Sequence, residues 1–175
     1  MKEKLAEAGK DNIILIGMPG AGKSTLGVVL AKIMHYNFID ADLLIQSQCD
    51  RTLQRLIDAC GPEGFIEVEN QVLSNVAAER TVIATGGSAV YSEEAMRHLA
   101  EIGRVVYLQI SYEELKARLT DFQERGVVLK GGIGMSLRDL YDERLPLYER
   151  YADLVVNVDD LSITAAARKV ADALK

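Results

Sequence analysis

The chain has no tryptophan, only three prolines, two cysteines and two histidines among 175 residues, and its acidic residues outnumber its basic ones by 26 to 20. Each shortage narrows the field. Cys49 and Cys60 have no metal-ligand spacing and no histidine cluster nearby, so free thiols in a reducing compartment are expected, with no zinc site. A formal charge of −6 argues against a nucleic-acid partner, because phosphate backbones are held by basic surface. No run of residues approaches the roughly 18 apolar positions that span a bilayer, so no membrane association is expected. The start, Met1 to Lys10, is charged and carries no apolar signal core, which makes the cytoplasm the expected location. Repeats and low-complexity segments are missing too. A chain of this length is expected to form one domain over 1–175, able to bury its core as a monomer.

What is present starts with residues 13–25. Ile13-Ile14-Leu15-Ile16 reads as a buried strand, and Gly17-Met18-Pro19-Gly20-Ala21-Gly22-Lys23-Ser24-Thr25 has the phosphate-loop spacing of one glycine, four residues, then Gly-Lys-Ser. A polyphosphate needs many backbone N–H groups directed into one concavity, and glycines let the chain wrap that closely. The helix that follows adds the partial positive charge of its N-terminus. Gly20, Ala21, Gly22, Lys23, Ser24 and Thr25 are therefore the candidate nucleotide contacts. Lys23 is placed to reach the β- and γ-phosphates, and the Ser24 hydroxyl to take a position on Mg²⁺. The plain alternative is a glycine turn that merely joins strand to helix. With strand, lysine and serine all in register, binding of a nucleoside triphosphate is the reading.

Along the rest of the chain, strands are expected at 12–16, 37–40, 82–85, 105–110 and 154–158. Helices are expected at 23–34, from 43 to 48, at 52–59 up to Cys60-Gly61-Pro62, at 64–79, at 92–102 with Ser92 as N-cap, at 111–119, at 137–151 despite Pro146, and at 163–174. Residues 121–136 break the periodicity with Gly126, Gly131, Gly132 and Gly134, and read as a mobile flap. Strands alternating with helices imply a parallel sheet covered on both faces, with ligands gathered beyond the carboxyl ends of the strands.

Three strand ends carry conspicuous residues. Besides the phosphate loop there are Asp40 and Asp42, and then Gly86-Gly87. Asp40 is a candidate for the Mg²⁺ shell, and Asp42 for orienting an acceptor hydroxyl and taking its proton; either acid is alternatively a helix cap. Gly86-Gly87 offers close backbone approach or a simple tight turn. Arg118, Arg125 and Arg144 flank the flap, and Lys130 lies within it. Phosphoryl transfer needs positive charge where the transition state spreads negative charge, and a closing flap that carries an arginine meets that need.

Taken together, these segments resemble the shikimate kinase family of small P-loop kinases. The matching parts are the phosphate loop, Asp40-Ala41-Asp42, Gly64-Phe65 with Glu69, Ala84-Thr85-Gly86-Gly87-Ser88-Ala89-Val90, and the run from Arg144-Leu145-Pro146-Leu147-Tyr148 to Asp153, in the family's order over nearly the whole chain. The resemblance implies a three-layer α/β/α P-loop kinase fold, with a central parallel five-stranded sheet and a mobile lid at about 121–136. It further implies ATP- and Mg²⁺-dependent phosphorylation of a hydroxyl on a small carboxylic acid, such as shikimate to 3-phosphoshikimate. By the same resemblance Lys23, Asp42 and Arg125 are catalytic, Asp42, Gly86, Gly87 and Arg144 hold the acceptor, and Arg118 lies near the adenine. Glu69 would hold a substrate-site arginine in place. The chain departs from the family's pattern at three places. Ile66 stands where an arginine joins Arg144 in clamping the acceptor carboxylate, Gly126-Val127-Val128 follows Arg125 where Pro-Leu-Leu is common, and Ser88 replaces a third glycine. The donor half of the expected site is complete and the acceptor half is altered. A nucleotide- and metabolite-binding protein, or a kinase for another polyol or sugar acid, is the competing expectation.

Overall fold

The computed structural model describes residues 10–119 and 135–175. The expected lid, with Arg125 and Lys130, lies almost wholly outside the described residues.

Five parallel strands form one sheet in the order β2-β3-β1-β4-β5. They are β1 (Asn12–Ile16), β2 (Asn37–Asp40), β3 (Thr81–Ala84), β4 (Gly103–Gln109) and β5 (Leu154–Asn157). β1 takes the centre because all five of its residues are buried, as a strand covered on both faces must be. Its register sets Leu15 opposite Ala84 of β3 and Val106 of β4. The helices are α1 (Lys23–Met34), α2 (Ala41–Cys49), α3 (Leu53–Ser74), α4 (Glu93–Ile102), α5 (Tyr112–Arg118), α6 (Leu137–Tyr151) and α7 (Ile163–Ala173). α1 lies against α7, and α3 against α4.

After β1 the chain crosses to β2 on one side of the sheet; after β3 it crosses to β4 on the other. Adjacent strands whose connections leave in opposite directions open a crevice at their carboxyl ends. The amino ends are closed by one side chain. The buried Asn12 donates to the carbonyls of Ala78 at 2.7 Å and Ile102 at 2.9 Å, and accepts from the Thr81 amide at 3.0 Å. It thereby ties the entries of β1, β3 and β4 together.

The element pattern follows the expectation, and the boundaries differ for local reasons. α2 begins at Ala41, two residues early, because Asp40 is its N-cap and its Oδ1 accepts from the amides of Asp42 at 3.0 Å and Leu43 at 3.3 Å. The segment expected as two helices at 52–59 and 64–79 runs as α3. Its break survives only at Gly61, with φ 71° and ψ 175°, and the helix ends at Ser74. Ser92 occupies the N-cap position of α4 without a side-chain capping bond; Asn70 of α3 caps that helix from outside, accepting from the Ala95 amide at 3.2 Å. Pro146 sits inside α6.

Candidate functional site

The phosphate loop links β1 to α1 across the mouth of the crevice. Gly22 is the N-cap of α1 at φ 91° and ψ 16°, a left-handed geometry that a side chain adopts only at a cost in strain. No side chain caps α1, so the amides of its first turn remain for a ligand. Lys23 turns back over the loop and donates to the carbonyls of Gly17 at 2.8 Å and Met18 at 2.9 Å. An ammonium carries three hydrogens, so this arrangement holds one for an anion while keeping the head group in place. Burial pushes the lysine pKa down to about 8, and the nearby Asp42 opposes that shift. A bound polyphosphate would restore full protonation.

The far wall of the cavity comes from the ends of β2 and β3 and from α6. Asp42, in the first turn of α2, has its carboxyl pKa raised by burial and then by Asp40, with Lys23 acting against both. Gly87 is a glycine for want of space: a Cβ there would stand 2.8 Å from Arg144 Nη1 and 2.8 Å from Pro19 Cδ. Arg144 is fully buried within α6, and its Nε donates to the Tyr91 hydroxyl at 3.1 Å. The same guanidinium lies 5.1 Å from the Tyr91 ring centroid, and Tyr91 in turn hydrogen-bonds Glu143. Tyr148, one helical turn beyond Arg144, stacks on Tyr107 at 5.1 Å and donates to the Gly87 carbonyl at 2.8 Å. The guanidinium and the glycine turn are thus held by the same helix.

Of the residues expected from sequence, Gly20, Gly22, Lys23, Ser24 and Thr25 line a cavity of about 320 Å³ together with Asp42, Gly86, Gly87 and Arg144. The residues expected at the donor end and those expected at the acceptor end share that one space. Ala21 is buried beneath the loop, with its amide bonded to the Met18 carbonyl at 3.1 Å. Arg118 does not line the cavity; on α5 it is paired with Glu114 at 2.9 Å. Asp40 does not line it either, and spends one carboxylate oxygen on capping α2. Leu53, Phe65, Thr85 and Ser88 line the cavity without having been singled out as lining residues. Ile66 packs instead into a satellite cluster with Ile45, Leu56, Phe65 and Val72. The signal for Phe65 lies in its place beside Gly64, and that for Thr85 and Ser88 in the matching run 84–90; Leu53 carries none.

Among the described residues, no group of three or more His, Cys, Asp or Glu side chains is arranged to hold a metal. Mg²⁺ is commonly bound through one or two protein oxygens and the substrate's phosphates. The exposed Ser24 hydroxyl and the second oxygen of Asp40 are hard donors of the right kind.

A phosphate loop facing a buried arginine and a carboxylate across one small cavity defines the class of P-loop phosphotransferases that act on small molecules. The family model described as shikimate kinase matches residues 19–175. Shikimate kinase of Pseudomonas paraeruginosa is 40% identical over 165 residues, which cover 94% of this chain and 96% of that protein. The structure of Acinetobacter baumannii shikimate kinase in complex with shikimate is similar with a TM-score of 0.83 at 29% identity, over 97% of this chain and 95% of that one. Shikimate kinase from Bacteroides thetaiotaomicron gives a TM-score of 0.78 at 30% identity, over 93% and 97% of the two chains. The chain belongs to the shikimate kinase family, and it is a kinase that transfers a phosphoryl group to a hydroxyl.

Proposed function

We propose that this kinase uses ATP with Mg²⁺ to phosphorylate a hydroxyl of shikimate or a closely related small hydroxy acid, releasing ADP, and that it acts as a cytoplasmic monomer. The observation that carries this reading is the shared cavity, in which Lys23 and the open amides of α1 face Asp42, Gly87 and Arg144. The β- and γ-phosphates would lie on the loop amides and Lys23. Ser24 and Asp40 would hold Mg²⁺, which when bound offsets charge on those phosphates. Arg144 would take the acceptor's carboxylate, and Asp42 would orient the hydroxyl and accept its proton. Leu53 and Phe65 add apolar surface to the lining of that cavity.

Asp42→Asn keeps the shape and removes the proton acceptor. The expected result is a fall in kcat of about 10²- to 10⁴-fold, with KM for ATP within about twofold of the parent. Steady-state rates with shikimate, read through ADP release, check it. Equal losses in kcat and in nucleotide affinity would contradict the assigned role.

A specific observation favours a relaxed acceptor preference. Ile66 donates no hydrogen bond and packs against an apolar cluster, so this position gives Arg144 no second guanidinium. Ile66→Arg would place a cation three residues before Glu69 on the same helical face. The expected outcome is a KM for shikimate lower by about tenfold or more at similar kcat, the scale of one charge-assisted hydrogen bond. An unchanged KM would show that this position does not set acceptor affinity.

A further inference from the structure

Behind the glycine turn sits a carboxylate that phosphoryl transfer does not use. Glu69 of α3 is fully buried. Its Oε2 accepts from the Ser88 hydroxyl at 2.6 Å, and its Oε1 has no hydrogen-bond partner among the described residues. That open oxygen is aimed at the acceptor wall: a Cβ on Gly86 would meet Glu69 Oε1 at 2.4 Å and Asp42 Oδ1 at 3.2 Å. The titratable groups facing Glu69 are Asp42 from α2, Lys23 from α1, and Arg144 and Tyr148 from α6. Two of the three places where the chain leaves its family's pattern therefore bear on one side chain. Ile66 supplies Glu69 with no cation from its own helix, and Ser88 supplies a hydroxyl instead.

We propose that Glu69 is a specificity-determining residue of the acceptor pocket, taking up one proton from solvent when an anionic acceptor seats on Arg144 and disfavouring that acceptor when it stays ionised. This inference rests on the acceptor reading above. In the empty pocket Arg144 steadies the Glu69 carboxylate. An acceptor carboxylate would neutralise that guanidinium and add a like charge near a buried carboxyl group, so the protonated acid becomes the favoured form. Burial already pushes the Glu69 pKa up to about 7, with the Ser88 hydrogen bond opposing it. The sign follows from linkage. A ligand that raises the pKa of a group binds best where the group is already protonated, so affinity is full below about pH 7 and falls as pH rises through it. A neutral polyol would show no such slope.

The test is calorimetric titration of the full-length chain with shikimate from pH 6 to pH 8, in buffers of differing ionisation enthalpy. ADP is kept saturating so that Lys23 remains charged, and shikimate, a carboxylate of ordinary pKa, is ionised throughout. The parent should lose about tenfold in affinity across this range while proton uptake climbs toward one per acceptor. Glu69→Gln should bind with the same affinity at every pH and take up no proton. Ser88→Ala, which removes the bond that favours the ionised form, should move the midpoint upward, an effect that mere loss of packing does not produce. A flat parent, or a slope that persists in Glu69→Gln, overturns the proposal and leaves the kinase reading intact. Failure of shikimate to bind at any pH overturns the acceptor reading and this inference with it.

Discussion

Replacing Lys23 with alanine is expected to lower kcat by about a thousandfold, while the chain still folds. The magnitude comes from the loss of one preorganised cation aimed at developing phosphate charge, an interaction usually worth 10²- to 10³-fold or somewhat more. The folding side is settled by what Lys23 does without a ligand. It donates to two loop carbonyls at 2.8 and 2.9 Å, but its own burial is unfavourable enough to push its pKa down to about 8. Removing it therefore deletes two hydrogen bonds and one desolvated charge, which offset each other in stability. Thermal unfolding should shift little in the absence of nucleotide, and the stabilisation given by added ATP and Mg²⁺ should shrink. Retention of parent kcat in this variant would remove the phosphate loop from the chemistry.

Arg144→Leu carries the second large effect, and it falls on the other substrate. The guanidinium is wholly buried and held by Tyr91. Taking away the cation that a carboxylate would meet in such a site leaves a desolvated anion unpaired, which costs about 2–5 kcal/mol, or roughly 10²-fold and more in affinity. Shikimate KM is expected to rise by at least that factor, while the KM for ATP changes little. Arg144→Lys should recover only part of the loss. A lysine keeps the charge and cannot reproduce the fork, nor the guanidinium's contact with the Tyr91 ring. If both KM values rise together, Arg144 supports the whole cavity and not one substrate.

Much of this arrangement is written locally in the chain. The buried run Ile13-Ile14-Leu15-Ile16 followed by the glycine loop places the central strand and its helix because both signals lie within about fifteen residues. The acids after β2, the glycines after β3 and Arg144 are legible as site residues because parallel sheets collect ligands at strand ends. What escaped depends on contacts between distant segments. Asp40 and Asp42 look alike in sequence, and only the turn into α2 decides that Asp40 caps while Asp42 faces the cavity. Asn70 capping α4, and Asn12 bracing three strands, join residues 25 to 90 positions apart. Arg118, expected near the adenine by resemblance, is paired among the described residues with Glu114, one helical turn earlier. Glu69 was legible as an acid behind the site. Its bond to Ser88 was not, since the two departures at 66 and 88 acquire a common meaning only once α3 is laid against the loop after β3.

Phosphorus NMR of the purified chain with ATP, Mg²⁺ and shikimate tests the central claim most directly. A new phosphomonoester resonance should grow in step with ADP, absent without shikimate and absent in the Lys23→Ala variant over the same interval. ADP formed with inorganic phosphate alone, or nucleotide bound without turnover whatever the acceptor, would contradict it.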